Sequence, residues 1–338
     1  MTATATMQPT PAIPVGYRGL SAAFLDDLEA LARAPEGGWW SDVLARPDLV
    51  LAVRAGYVNV YYRGAALYLI GQRQGRVVAS THARYLVRQR QGSADLSADG
   101  AFALDPDQAL WRHYAGPQTL GEMLRAAAHL AGPEMDGVHD LVLASPRVVD
   151  VEISLSAAVP QAAGAGDAPV GNDAPGDPKA SRQDRIDVAT LTEREGQAFV
   201  SFHEAKHFTN PELRAGPTRK PPVVAQIERY RATLTHHASQ LSLSYQAVAQ
   251  ALVRLDRLRQ EVTGPGAASR LDPLVIRVAQ DPVPPVIDTE PRLVVFGFDE
   301  DQRDGTVWGR HRTRLTEEFG LQVYAVGSTR GRRHAAFR

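Results

Sequence analysis

Three short stretches within 44 residues carry the side chains of a hydrolytic site. Asp187 interrupts the apolar run Ile186-Asp187-Val188, where a carboxylate is costly unless a cation or donor compensates it. Glu204-Ala205-Lys206 closes the next predicted strand. Side chains alternate along a strand, so Glu204 and Lys206 share a face. Gln226 and Tyr230 stand four residues apart on the following predicted helix and are neighbours on its surface. If strand 185–191 pairs with strand 198–206, Asp187 approaches Glu204. Two convergent carboxylates make an oxygen-rich seat for Mg²⁺ or Mn²⁺. Such an ion polarises a phosphoryl oxygen and acidifies a bound water. Lys206 beside it orients that water or steadies the negative charge as it grows. The expected chemistry is phosphodiester hydrolysis.

This ordered set resembles the PD-(D/E)xK nuclease superfamily, with its restriction-endonuclease-like fold, over roughly residues 118–330. The positions that match the family's metal-binding aspartate and its acidic-x-lysine triplet are Asp187, Glu204 and Lys206. Gln226 and Tyr230 match the glutamine and tyrosine of a RecB-type branch. The resemblance implies a further acidic residue, for which Glu122 and Glu152 compete. Glu152 is favoured because Arg147–Ser156 alternates cleanly, with Asp150 on the same face to assist it. No proline precedes the aspartate motif, since Arg185 and Ile186 stand there, and His129 is a poor match for the branch's first-helix histidine. Arg214, Arg219 and Lys220, between the triplet and the glutamine helix, are candidate nucleic-acid backbone contacts; the alternative is a solvated loop. The implied activity is a metal-dependent nuclease, with DNA favoured and a place in bacterial defence or a mobile element by analogy. A catalytically silent nucleic-acid-binding or regulatory protein is the competing reading.

The elements that must position these residues are an α/β (α+β mixed) set. Residues 1–14 are expected to be disordered. A helix begins near Leu20, and four short strands follow at 49–54, 57–62, 66–70 and 76–80, forming a β-meander in an N-terminal module over 15–105. Its arginines and tyrosines suit either a nucleic-acid surface or an ordinary solvated sheet face, and the ordinary face is favoured. Residues 92–105 read as a polar loop. The nuclease-like domain spans 106–330 and opens with a helical region from Pro106 to Leu130, broken near Gly116-Pro117. Residues 157–180 hold eight Ala, four Gly and four Pro and read as a disordered insertion between two strands of one sheet. Helices are expected at 223–234 and 241–262, and a strand at 274–279. A β-α-β unit follows, with strands 293–298 and 322–327 and a helix at 308–319, implying a parallel pair. Residues 331–338 form a basic tail.

Composition narrows the alternatives. The chain has no cysteine, which excludes disulfides, thiolate nucleophiles and thiolate zinc sites. Its net charge of −1 argues against a uniformly basic polyanion binder, though not against a local basic groove. Neither a signal peptide nor a membrane span is evident, so a cytoplasmic protein is expected. A homodimer, or a regulatory partner docking through the N-terminal module, stays open. Of 37 basic residues only Lys179, Lys206 and Lys220 are lysine. Lys206 alone falls in a predicted strand, where a compact ammonium suits a metal site better than a guanidinium.

Overall fold

The computed structural model describes residues 17–34, 38–89, 93–103, 109–155, 185–329 and 336–337. The expectations for 1–14 and for the insertion 157–180 lie outside the described residues, as does most of the basic tail.

Helices α1 (Ala22–Ala32) and α2 (Gly38–Ala45) lead into an antiparallel meander of β1 (Val50–Val53), β2 (Val58–Tyr62), β3 (Ala65–Arg73) and β4 (Arg76–Ser80). A small ribbon, β5 (Asp95–Leu96) and β6 (Phe102–Ala103), occupies part of the expected polar loop. Helix α3 runs from Pro117 to Leu130; the expected helical stretch from Pro106 falls largely on 104–108, outside the described residues, and Ala109 after it is helical. Proline at the first helical position has no intrahelical donor to lose, so α3 starts at the expected break, Gly116-Pro117. Helix α4 (Pro133–Leu143) was not anticipated and begins the same way, at Gly132-Pro133.

The second sheet has the order β12 (Gln322–Gly327), β11 (Arg292–Phe298), β9 (Gln197–His207), β8 (Arg185–Arg194), β7 (Val148–Ser154), with a short strand beside β9. Strands β7 (Val148–Ser154), β8 (Arg185–Arg194) and β9 (Gln197–His207) are antiparallel neighbours. Glu195 and Gly196 join β8 to β9, both at positive φ, which suits the twist of a two-residue hairpin. The chain then enters α5 (Pro222–Thr263), one helix of 42 residues where two were expected. The stretch from Thr235 to Gln240 is polar but holds no glycine or proline, so the apolar pattern pauses without breaking the helix.

Residues 274–279, expected as a strand, belong to helix α6 (Pro273–Gln280). The Asp272 side chain caps it by accepting from Leu274 N at 2.9 Å, and Leu274, Val275 and Val278 form its buried face. Strand β10 (Val286–Ile287) pairs parallel with β9, and so does β11 (Arg292–Phe298). Helices α7 (Glu300–Asp304) and α8 (Thr306–Thr313) and a π turn lead to β12 (Gln322–Gly327), parallel to β11 as the β-α-β pattern predicts.

The architecture is therefore mixed α/β, with helices on both faces of a mixed sheet. Tyr230, Tyr245 and Val248 of α5 pack with Phe202 and Ile153 on one face, in a core that also takes Phe24, Leu28 and Trp40 from the N-terminal helices. Leu141 and Val142 of α4 pack with Val151, Val188, Ala205 and Phe296 on the other. Gly137 allows α4 to approach this closely, because a Cβ there would meet Phe296 at 2.1 Å. Among the described residues no helix is long and apolar enough to cross a membrane.

Candidate active site

Sheet register brings the predicted carboxylates together. The β8–β9 pairing ends at Val188↔His203, which places Asp187 next to Glu204 across the strands. The β7–β8 register, Val151↔Val188 and Ile153↔Ile186, likewise brackets Glu152 against Asp187. Beyond the last ladder pair the Asp187 carboxylate takes over from the backbone, accepting the Ala205 N–H at 2.8 Å. Among the described residues no arginine pairs with it; Arg185 reaches Glu152 at 3.2 Å.

Glu204 is about 1% exposed. One of its oxygens lies 2.8 Å from Lys206 Nζ, while Oε2 is buried with no hydrogen-bond partner. Burial pushes the Glu204 carboxyl up to about 7, against the opposing pull of Lys206. Burial also drives Asp187 well above the usual carboxylate range, reinforced by the charges of Glu204 and Glu152. Burial alone would lower the Lys206 ammonium, but Glu204 overrides it and holds Lys206 firmly protonated. Glu212 flanks the same ammonium at 3.1 Å. Glu204 and Lys206 thus form a strand-face ion pair that is buried rather than solvated.

Gln226 and Tyr230 meet as their spacing requires, with Gln226 Nε2 donating to the Tyr230 hydroxyl at 2.5 Å. That hydroxyl donates to the Arg185 carbonyl at 2.5 Å, so α5 grips the start of β8 two residues before Asp187. Burial raises the Tyr230 hydroxyl's pKa, helped by Glu204 and Asp187, and keeps it a donor.

The remaining expected residues divide. Glu152 adopts a left-handed backbone, φ 51°, and lines a cleft with Asp187, Glu134, Met135 and Tyr61. Asp150 does not assist it. A register shift after Val148 and the turn of the backbone at Glu152 carry Asp150 elsewhere, into contact with Arg18, Arg54 and Tyr245. Glu122, the alternative, sits in α3 and accepts from Trp111 Nε1 at 2.5 Å. Arg219 and Lys220 are exposed, and Lys220 contacts both oxygens of Glu228 at 2.8 Å. Arg214 ties its own loop together, donating to the Phe208 and Asn210 carbonyls at 2.6 and 3.1 Å. His203 is a core residue bonded to Thr190, its pKa lowered by burial to about 3.

Sequence reasoning missed Glu134. It sits in the first turn of α4, and its Oε2 accepts from His207 N at 2.9 Å and Asn210 Nδ2 at 2.8 Å. Its charge is felt at Glu204. The proline and acidic first turn at Pro133-Glu134 were the available signal.

Oxygen donors suit a hard divalent ion, and the unpartnered Glu204 Oε2 beside the electrostatically strained Asp187 is a place where a cation would relieve both. Asp187 and Glu204 would hold it, with Glu152 as the third donor once released from Arg185. Among the described residues no group of three or more His, Asp or Glu side chains is placed to hold a metal ion. Compared with family models, curated proteins and solved structures, the chain matches none.

Proposed function

We propose that this chain is a Mg²⁺- or Mn²⁺-dependent nuclease of the cytoplasm that hydrolyses phosphodiester bonds, with DNA the favoured substrate. Its β7–β12 sheet is read as a restriction-endonuclease-like core. The observation that carries the proposal is the pairing of two under-compensated carboxylates, half-buried Asp187 and buried Glu204, with a buried lysine on the strand of Glu204. A buried carboxylate oxygen without a hydrogen bond calls for a compensating partner, and a divalent cation would be one. The ion would supply Lewis acidity and an acidified water. Lys206 holds a proton firmly and presents it beside Glu204, where it orients the attacking water or meets developing charge. Gln226 and Tyr230 position the strand that carries Asp187.

That no group of three His, Asp or Glu side chains among the described residues is placed to hold a metal ion favours one second reading, a nucleic-acid-binding protein without cleavage. A single assay separates the two. Single-stranded DNA, double-stranded DNA and RNA are incubated with the protein and Mg²⁺, Mn²⁺ or chelator, using wild type, Asp187→Asn and Lys206→Ala. Metal-dependent cleavage lost in both variants is expected. Cleavage that survives in both overturns the site, and tight binding without cleavage selects the second reading.

A further inference from the structure

Away from the carboxylate cleft, a second cavity of about 660 Å³ opens between α5, the end of α4 and strands β1 and β7. Its wall is largely apolar, with Leu49, Leu51, Val149, Leu252, Leu255 and Leu271 contributing. Two guanidiniums, those of Arg259 and Arg270, belong to the same wall. Arg259 donates from Nη2 to the Leu49 carbonyl at 2.8 Å, while its Nε is buried without a partner. Arg270 donates from Nη1 to the Arg46 carbonyl at 3.2 Å.

The nearby carboxylate serves other groups. Asp256 accepts the Arg270 backbone N–H at 3.2 Å and Gln260 Nε2 at 2.8 Å, and neither guanidinium makes an ion pair with it. Burial, with repulsion from Arg270, draws Arg259 down to about 10. Arg18 and Arg54, which are more deeply buried, are treated differently, because both close on Asp150. Arg259 and Arg270 are half-buried and Asp256 attracts Arg259 without an ion pair, an incomplete compensation that is costly to a fold. The cost is sensible where the counter-charge arrives with a ligand.

We infer that this cavity binds a small molecule with an apolar body and one terminal oxyanion, a phosphate monoester or a carboxylate, seated on Arg259 and Arg270. The volume falls within the range of about 300–1,000 Å³ common for small-molecule sites. The apolar side chains take the body, and the Arg259 and Arg270 guanidiniums take the oxyanion. Asp140 and Asp256 also line the cavity and oppose a second negative group, which disfavours polyphosphates and nucleic-acid backbone.

The test uses the full chain, with thermal unfolding and titration calorimetry. The probes are adenosine 5′-monophosphate and decanoate, their uncharged counterparts adenosine and decanol, and inorganic phosphate alone. At least one of the two anions is expected to bind saturably and raise Tm, and its uncharged counterpart is not. Arg259→Gln and Arg270→Gln are each expected to weaken that binding at least about tenfold, the scale of a lost charged hydrogen bond. The two variants guard against either one failing to fold. The preferred anion separates the phosphate and carboxylate sources. The inference is overturned if neither anion binds saturably, if the uncharged counterpart binds equally well, if phosphate alone binds as tightly, or if every folded variant keeps wild-type affinity.

Discussion

Asp150 on β7 and Glu204 on β9 are equally hidden, each about 1% exposed, yet their surroundings are opposite. Asp150 receives Arg18 Nε at 2.8 Å, Arg54, the Tyr245 hydroxyl at 3.3 Å and the Val151 N–H at 2.8 Å. Two cations and two neutral donors satisfy it, and the clamp ties the N-terminal helices and meander to the second sheet. Glu204 has one ammonium at 2.8 Å and feels the Tyr230 hydroxyl, while its Oε2 makes no hydrogen bond among the described residues. Burial by itself therefore says little about what a carboxylate does. The difference lies in compensation: a fully bonded charge holds the fold, and an under-bonded one stands ready for a cation or a proton.

The contrast breaks most visibly at the under-bonded site. Asp187→Asn keeps an acceptor for the Ala205 N–H but removes the charge, and cleavage is expected to fall by about 10²–10⁴-fold or more while the circular dichroism spectrum stays unchanged. The largest stability effect belongs to the clamp. Asp150→Ala leaves Arg18 and Arg54 buried without a counter-charge, and urea denaturation should report a loss of about 3–5 kcal/mol. A loss below about 1 kcal/mol would show that the clamp is ornamental.

A pH series sharpens the comparison. The folded-state pKa of Glu204 is raised from 4.5 to about 7, so between these values the folded protein binds more protons than the unfolded chain. The stability associated with protonated Glu204 is complete below the unfolded value and is lost as pH rises through the folded one. Asp187 shifts in the same direction. Urea midpoints should therefore decline between about pH 5 and about pH 8, and Glu204→Gln should flatten the decline. Equal slopes for wild type and variant would remove Glu204 from the account. Smaller again, Tyr230→Phe deletes the donor to the Arg185 carbonyl and is expected to cost about 0.5–1.5 kcal/mol, with reduced cleavage in parallel. Smallest is Lys220→Ala, whose exposed pair with Glu228 should change stability by less than about 1 kcal/mol. Its effect, if it touches nucleic acid, is a weaker salt dependence of binding.

Much of the candidate site was legible because it is local. Alternation places Glu204 with Lys206, a four-residue spacing places Gln226 with Tyr230, and a two-residue turn at Glu195-Gly196 sets the hairpin register that joins Asp187 to Glu204. Reading failed where local and long-range forces compete. Residues 274–279 are apolar enough for a strand, but the Asp272-Pro273 start makes them a helix. Asp150 shares an alternating run with Glu152, and only a register shift and a left-handed residue separate their fates. Glu134 lay in a helix whose proline start was overlooked.

From sequence alone came the identity and order of the candidate site residues, the absence of thiol chemistry and most of the strand sequence, because composition and periodicity act over a few residues. Tertiary structure decided which buried charges are neutralised. Arg18 reaches Asp150 from 132 positions away, whereas among the described residues no arginine reaches Asp187 or Glu204. Compensation depends on which distant side chains the packed core delivers to each carboxylate, and no spacing rule along the chain encodes that delivery.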